Sequence, residues 1–366
     1  MATSLRYGRG PERAPTRLLL VDDSIVARSV FQAILGPHPE FEVVGTASTA
    51  GQALAALHST SVDIVLLDLA MPGMDGLTAL PEIIRHGRGA RVLVVSASAA
   101  DGADACVRAL TLGAADTLEK PRAGFGEGFR QDLLEKLHRI GAEGRGREPA
   151  APIAPVPEAL PLASRQPGRV GCIAIGASTG GLHALSDFFR ALPASVSVPI
   201  LITQHLPPVF MPYFAAQMAD IAGRPAKVAE EGARLRPGEI LVAPGDAHLG
   251  VRAIGQRVVV ALDHRRAVSG CLPSVDPMFE AVGAVFGAEA FGVVLSGMGR
   301  DGSIGARQLV DAGGEIAAQD QRSAVIWGMP GSVARAGLAA TIGEPRALAM
   351  RLVERLGIRA PVGDPA

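Results

Sequence analysis

Short apolar runs alternating with helix-patterned stretches restrict this chain to one broad class of fold. In the first half such runs occupy Leu18–Val21, Phe41–Ala47, Ile64–Leu67, Arg91–Ser96 and Asp116–Leu118. They are too short for helices and are bounded by Gly, Pro, Asp and Ser, so they read as buried strands. Helical patterns fill the gaps, with a last one near Phe125–His138. Five strand–helix units of this size predict an α/β fold with a doubly wound, five-stranded parallel sheet. The second half repeats the theme at Val170–Ile175, Pro199–Thr203, Ile240–Ala243, Phe291–Leu295 and Glu315–Ala318. Between these, HLGVRAIGQRVVVALD (248–263) predicts a two-stranded hairpin around Gly255-Gln256. A second α/β domain with a mostly parallel sheet and one hairpin is therefore expected.

Between the two series, residues 141–168 hold six prolines and no sustained apolar period. This predicts a semi-extended linker, able to span up to roughly 80 Å. The expected organisation is a first domain over 17–138, the linker over 141–168 and a second domain over 169–358.

Composition narrows the function classes. Hydrophobic residues make up 48% of the 366 residues, charged ones 19%, and the formal net charge is −1. No electrostatic footprint for nucleic acid is present. The cysteines Cys106, Cys172 and Cys271 are far apart. That argues against a zinc site or a disulfide framework and for a reducing, cytoplasmic compartment. No stretch approaches the ~20 apolar residues of a membrane span, so no membrane insertion is expected. The arginines before LLLV are not read as a signal peptide, because that run is too short and ends in Asp22-Asp23.

Several polar residues stand at the ends of the first five strands. Asp22 and Asp23 follow the first, Asp68 the third and Lys120 the fifth, while Ser96 ends the fourth. In a parallel sheet these ends converge on one edge. Clustered carboxylates there suit a hard divalent cation such as Mg²⁺, and a lysine and a hydroxyl suit an incoming phosphoryl group. Taken singly, each Asp is explained as a turn or cap residue. Together, LLLVDDS, LLDLAMPGMDGL, VLVVSAS and TLEKP resemble the response-regulator receiver domain over residues 17 to about 138. The resemblance implies that Asp68 is the phosphoacceptor. It further implies that Asp22, Asp23, Asp68 and the Ala70 carbonyl hold Mg²⁺, and that Ser96 and Lys120 contact the phosphoryl group. Thr117 stands where receivers usually carry an aromatic, so an aromatic switch there is not expected.

In the second domain, VGCIAIGASTGG (170–181) takes an apolar strand into a helix through small residues. Ser178 lies at that junction, where open α/β sheets place their chemistry and a helix start favours negative charge. The setting suits a nucleophile or a bound phosphate. A nucleophilic serine needs a base and an orienting acid. His205, after the run PILIT, lies at a sheet edge by position. His248 is the second choice, whereas His183 and His264 read as helix-surface and exposed residues. For the acid, FGVVLSGMGRDG ends a strand and carries Asp301, which as a lone residue reads as a helix cap.

IGASTGG, QHLP, CLPSVDPMF, SGMGRDG and AQDQRSAVIWGMP, in this order over about residues 169 to 356, resemble the catalytic domain of chemotaxis protein-glutamate methylesterases/protein-glutamine glutaminases, the CheB family. The resemblance implies Ser178 as nucleophile, His205 as base and later acid, and Asp301 as orienting carboxylate. The Met298 N–H would be an oxyanion donor, and Thr179 would shape the pocket. The implied reaction is hydrolysis of glutamate methyl esters, and deamidation of glutamines, on methyl-accepting chemoreceptors. It needs no cofactor, while Mg²⁺ serves receiver phosphorylation by a chemotaxis histidine kinase of the CheA type. In the expected regulation, the unphosphorylated receiver blocks receptor access and phosphorylation of Asp68 opens it. Leu272 replaces a basic residue common before PSVD, Ser296 replaces a commoner threonine, and Met211 and Gly331 have no evident meaning in the sequence. Two rival readings are a catalytically silent receiver-linked regulator or phosphate sink, and a nucleotide-binding α/β domain. The second lacks both the P-loop lysine and GxGxxG.

Overall fold

A computed structural model describes residues 14–97, 100–121, 125–144 and 169–358. By internal contacts these form two compact units, one around each large sheet, the second unit also taking in 97–117. The expected linker lies outside the described residues from 145 to 168.

The first sheet is built from β1 (Thr16–Val21), β2 (Phe41–Ala47), β3 (Ile64–Leu67), β4 (Arg91–Ala97) and β5 (Asp116–Lys120). Its helices are α1 (Ile25–Leu35), α2 (Ala50–Ser59), α3 (Gly76–His86), α4 (Ala100–Thr111) and α5 (Glu127–Gly144). Strand order is β2-β1-β3-β4-β5, with parallel pairing. All four residues of β3 are buried, as expected for a strand covered on both faces. Ser24, Thr49 and Asp75 cap α1, α2 and α3 by accepting from the N–H groups of Ala27, Gln52 and Thr78. Helix α5 runs past His138 to Gly144, into the start of the expected linker.

The second unit contains β6 (Cys172–Ala177), β7 (Ile200–Gln204), β8 (Ala226–Val228), β9 (Ile240–Val242), β10 (His248–Ile254), β11 (Arg257–Asp263), β12 (Ala290–Val294), β13 (Glu315–Gln319) and β14 (Thr341–Gly343). Its helices are α6 (Gly181–Ala191), α7 (Met211–Ala222), α8 (Val275–Phe286), α9 (Ser303–Asp311), α10 (Met329–Arg335) and α11 (Pro345–Arg355). Seven strands form a parallel sheet in the order β14-β13-β12-β6-β7-β9-β8. The three-residue edge strands β8 and β14 carry no periodicity and were not expected. The antiparallel hairpin β10-β11 has the expected register, with Ile254 opposite Arg257.

One buried cluster joins this sheet (Cys172, Leu201, Leu241, Val294, Ile316) to the hairpin (Leu249, Val251, Val260) and to α8 (Met278, Phe279, Val282). The hairpin and the start of α8 are thereby held beside the sheet. Among the described residues, no helix is long and apolar enough to cross a membrane.

Both sheets have a topological switch point. In the first, successive strands depart in opposite directions on either side of β1 and β3. In the second they do so on either side of β6 and β12. The crevice outside the carboxyl ends of such a strand pair is where open α/β sheets bind ligands. Asp22 and Asp68 follow β1 and β3; Ser178 and Asp301 follow β6 and β12.

Candidate active site

The peptide of Ser178 is held by the strands on both sides of β6. Its N–H donates to the Ser296 carbonyl at 2.9 Å, and Gln204 Nε2 donates to its carbonyl at 3.0 Å. Ser296 itself is fully buried, and its hydroxyl donates to the Thr179 carbonyl at 2.8 Å. The serine found at that position in place of threonine thus braces the nucleophile loop. The approach is close: a Cβ on Gly297 would lie 2.9 Å from Ser178 Cβ and 2.3 Å from Met329 Sδ. Only glycine lets the two loops meet at this distance.

His205 follows β7. Its Nδ1 lies 3.1 Å from Ser178 Oγ and its Nε2 lies 2.8 Å from Asp301 Oδ2. An ionised carboxylate only accepts, so Nε2 carries the hydrogen and the Nδ1 lone pair faces the serine. The ring is turned over relative to the usual protease arrangement, in which Nε2 faces the serine. The side chain of His205 is 18% exposed and that of Asp301 only 2%, so the site opens on the serine side.

Three donors converge on Asp301. Besides His205, Ser274 Oγ donates to Oδ1 at 2.6 Å and the Val275 N–H donates to Oδ2 at 2.8 Å. Burial pushes this carboxyl up. The bonds and charge of His205, with the Ser274 and Val275 bonds, outweigh that and hold it below the usual carboxylate range. Its neighbour Asp276 moves the other way: burial and the Asp301 charge raise it, against the Gly305 N–H bond. Cys271 brings its sulfur within 4.8 Å of a His205 ring nitrogen and an Asp301 oxygen.

The N–H groups of Thr179 and Met298 are donors without an acceptor among the described residues. His248, the second choice as base, is 1% exposed and bonded through both ring nitrogens to Arg265 O and Ser274 N. His183 and His264 are exposed. Gln204 and Ser274 stand inside QHLP and CLPSVDPMF, but neither motif tells their roles, and the supporting place of His248 lies in neither. Gly331 also acquires a reason: a Cβ there would meet the Trp327 ring at 2.8 Å. Met211 is a buried core residue at the start of α7.

The first sheet presents the second constellation. Asp22 and Asp68 are buried, Asp23 is exposed, and one oxygen from each lies within 4.8 Å of the others. Lys120 Nζ is 2.7 Å from Asp22 Oδ2 and from Asp68 Oδ2, with its hydrogen bond directed to Asp68. Burial raises the Asp68 carboxyl, Lys120 opposes this, and the Asp22 charge adds to it. Crowded carboxylates with a surplus of negative charge are an oxygen donor set that fits Mg²⁺. The Ala70 N–H bonds Asp68 Oδ1 at 3.2 Å, and Ser96 is buried at the end of β4.

A family model described as CheB methylesterase matches residues 173–352, and one described as Response regulator receiver domain matches residues 18–124. A protein-glutamate methylesterase/protein-glutamine glutaminase 2 of Caulobacter vibrioides is 43% identical over 331 residues, covering 89% of this chain and 94% of the relative. A protein-glutamate methylesterase/protein-glutamine glutaminase of Maricaulis maris is 36% identical over 379 residues, covering 92% and 94%. The crystal structure of the Thermotoga maritima CheB methylesterase catalytic domain is 32% identical, covering 51% of this chain and 99% of that one, with a TM-score of 0.49.

Proposed function

Because the chain belongs to the protein-glutamate methylesterase/protein-glutamine glutaminase family, we propose that it hydrolyses γ-glutamyl methyl esters on cytoplasmic helices of methyl-accepting chemoreceptors. The observation that carries this reading is the line Ser178 Oγ, His205 Nδ1, His205 Nε2, Asp301 Oδ2, at 3.1 and 2.8 Å. Ser178 Oγ attacks the ester carbonyl carbon and its proton passes to His205 Nδ1. The imidazolium formed faces the Asp301 carboxylate, which stays ionised because its donors hold its pKa down. We assign the oxyanion role to the Met298 N–H, with Thr179 shaping the same pocket; loss of one such donor costs about 10²–10³ in rate. The C–O bond breaks, Nδ1 returns its proton, and methanol leaves. Water activated by the same nitrogen then releases the glutamate side chain and regenerates Ser178. A glutamine substrate follows the same course with ammonia as leaving group. Every proton in this cycle is carried by His205, so the proposed hydrolysis calls for no cofactor.

The Asp68 pocket supplies the control. In our reading a chemotaxis histidine kinase transfers a phosphoryl group to Asp68 in the cytoplasm, and the phosphorylated chain is the more active hydrolase. Asp22, Asp23, Asp68 and the Ala70 carbonyl would hold Mg²⁺, which when bound neutralises phosphoryl oxygens. Lys120 and Ser96 would contact the same group. The test is methanol release from methylated receptors with and without acetyl phosphate, for wild type and Ser178→Ala. Release abolished by Ser178→Ala and stimulated by acetyl phosphate is expected. Near-normal release by Ser178→Ala overturns the triad, and no release by wild type overturns the substrate.

A further inference from the structure

Ser274 is fully buried, yet its hydroxyl is completely committed. It accepts from Ser269 Oγ at 3.1 Å and from the Asp276 N–H at 3.3 Å, which leaves its own hydrogen for Asp301 Oδ1 at 2.6 Å. Its backbone is tied as well. The Ser274 N–H donates to His248 Nδ1 at 2.9 Å, and His248 Nε2 donates to the Arg265 carbonyl at 2.7 Å. A backbone N–H can only donate, so His248 is held in the tautomer that keeps Nδ1 as acceptor. The carboxyl torsion of an aspartate is broad and roughly two-fold. Here Ser274 takes one oxygen and the Val275 N–H takes the other, so the plane is set and Oδ2 is turned to His205. The ionisable groups packed about this carboxylate are His205, Cys271 and Asp276, with His248 behind Ser274.

We propose that Ser274 is a positioning residue of the hydrolase: its hydroxyl sets the rotation of the Asp301 carboxylate, and the His248 anchor sets the Ser274 backbone. The proposal rests on the triad reading but not on the identity of the ester. A fluorophosphonate therefore separates the two, because Ser178 displaces its fluoride through an O–P bond with His205 taking the proton, whatever the natural substrate.

The experiment compares full-length wild type, Ser274→Ala, Ser274→Thr and His248→Leu. It measures the rate of fluorophosphonate labelling at Ser178, kcat and KM for methanol release, and melting temperature. Ser274→Ala should lower labelling and kcat about 10- to 100-fold, the cost of one hydrogen bond to a charged group, with KM nearly unchanged. Ser274→Thr, which keeps a hydroxyl, should recover most of the loss. His248→Leu, which keeps the hydroxyl but frees the backbone, should show a smaller fall. Ser274 also caps α8, so Ser274→Ala melts lower in either case. Wild-type rates in a folded Ser274→Ala overturn the proposal and leave a cap only. A folded Ser274→Thr as slow as Ser274→Ala also overturns it, and an unchanged His248→Leu overturns the anchor. If wild type is labelled but releases no methanol, the ester reading falls, and the labelling rates alone judge Ser274. If wild type is neither labelled nor active, both fall.

Discussion

Asp301→Asn isolates the charge of the carboxylate from its geometry. The amide has one oxygen and one NH₂ group, and the surroundings dictate which goes where. The Val275 N–H, 2.8 Å from Oδ2, can only donate, so the amide oxygen takes that position. The NH₂ group then faces Ser274 Oγ, which accepts it by turning its own hydrogen to Ser269 Oγ, so that the exposed Ser269 hydroxyl gives its hydrogen to solvent. His205 Nε2 still finds an acceptor, and Nδ1 still faces Ser178 in the productive tautomer. What disappears is the negative charge 2.8 Å from the imidazolium. At an effective dielectric constant of about 20, one charge pair at that separation is worth at most about 6 kcal/mol. The amide dipole and the partial exposure of His205 recover part of it. The expected loss in kcat is therefore about 10²- to 10⁴-fold, with KM little changed, since the carboxylate does not touch the substrate. Folding should be nearly unaffected, because every donor keeps a partner. The assay is steady-state methanol release with a thermal melt of the same preparation. A kcat within about threefold of wild type, too small a change for a lost charge, refutes the electrostatic role of Asp301. A large fall in melting temperature refutes the hydrogen-bond assignment.

Other perturbations test separate parts. Gly297→Ala should push on Ser178 Cβ, 2.9 Å from the new methyl, and reduce kcat by about 10- to 100-fold in a folded enzyme; wild-type turnover would show that this contact is slack. Asp68→Asn should abolish stimulation by acetyl phosphate, read as the ratio of methanol release with and without it; persisting stimulation would move the phosphoacceptor elsewhere. Alkylation should select Cys271 over the buried Cys106 and Cys172, burial also raising the Cys172 thiol, and should block labelling of Ser178; Cys271→Ser should escape the block, and a sensitive Cys271→Ser would place the modification elsewhere. Asp276 is pushed up to about 6 by burial and by Asp301, so folding binds its proton more tightly. Its stabilising contribution is complete below the ordinary carboxylate range and is lost as pH rises through 6. Asp276→Asn should thus gain stability relative to wild type between pH 4 and 8 in urea unfolding, and a difference independent of pH would refute the pairing.

Much of the site was legible because its residues stand at strand ends. Asp22, Asp68 and Lys120 each follow an apolar run, and so do Ser178 and His205. A strand end in a parallel sheet points to one edge whatever the order of the strands. Residues whose roles depend on non-local neighbours were not legible in this way. His248 begins a hairpin strand, a position that suits a base, yet it is buried with both ring nitrogens bonded to the Arg265 carbonyl and the Ser274 N–H. Ser274 sits in a recognisable motif, yet nothing local says that its hydroxyl turns toward a carboxylate 27 positions away in sequence. Strands β8 (AKV) and β14 (TIG) escaped because three part-exposed residues at a sheet edge form neither a period nor a buried apolar run of the kind that marks β9.

The sequence by itself determined two α/β units, the polar residues at their strand ends and the family they belong to. Local pattern suffices for these, since burial on both faces demands apolar runs and each turn into a helix leaves its marker residues. The tertiary structure decided the strand order. That order places β1 beside β3 and β6 beside β12, and brings Ser178 and Asp301 to the same switch point. It also packs the hairpin and α8 on the sheet, so that Ser274 reaches the back of the carboxylate and His248 reaches Ser274. Pairing and packing join residues far apart in the chain, and only the folded core sets which of them meet.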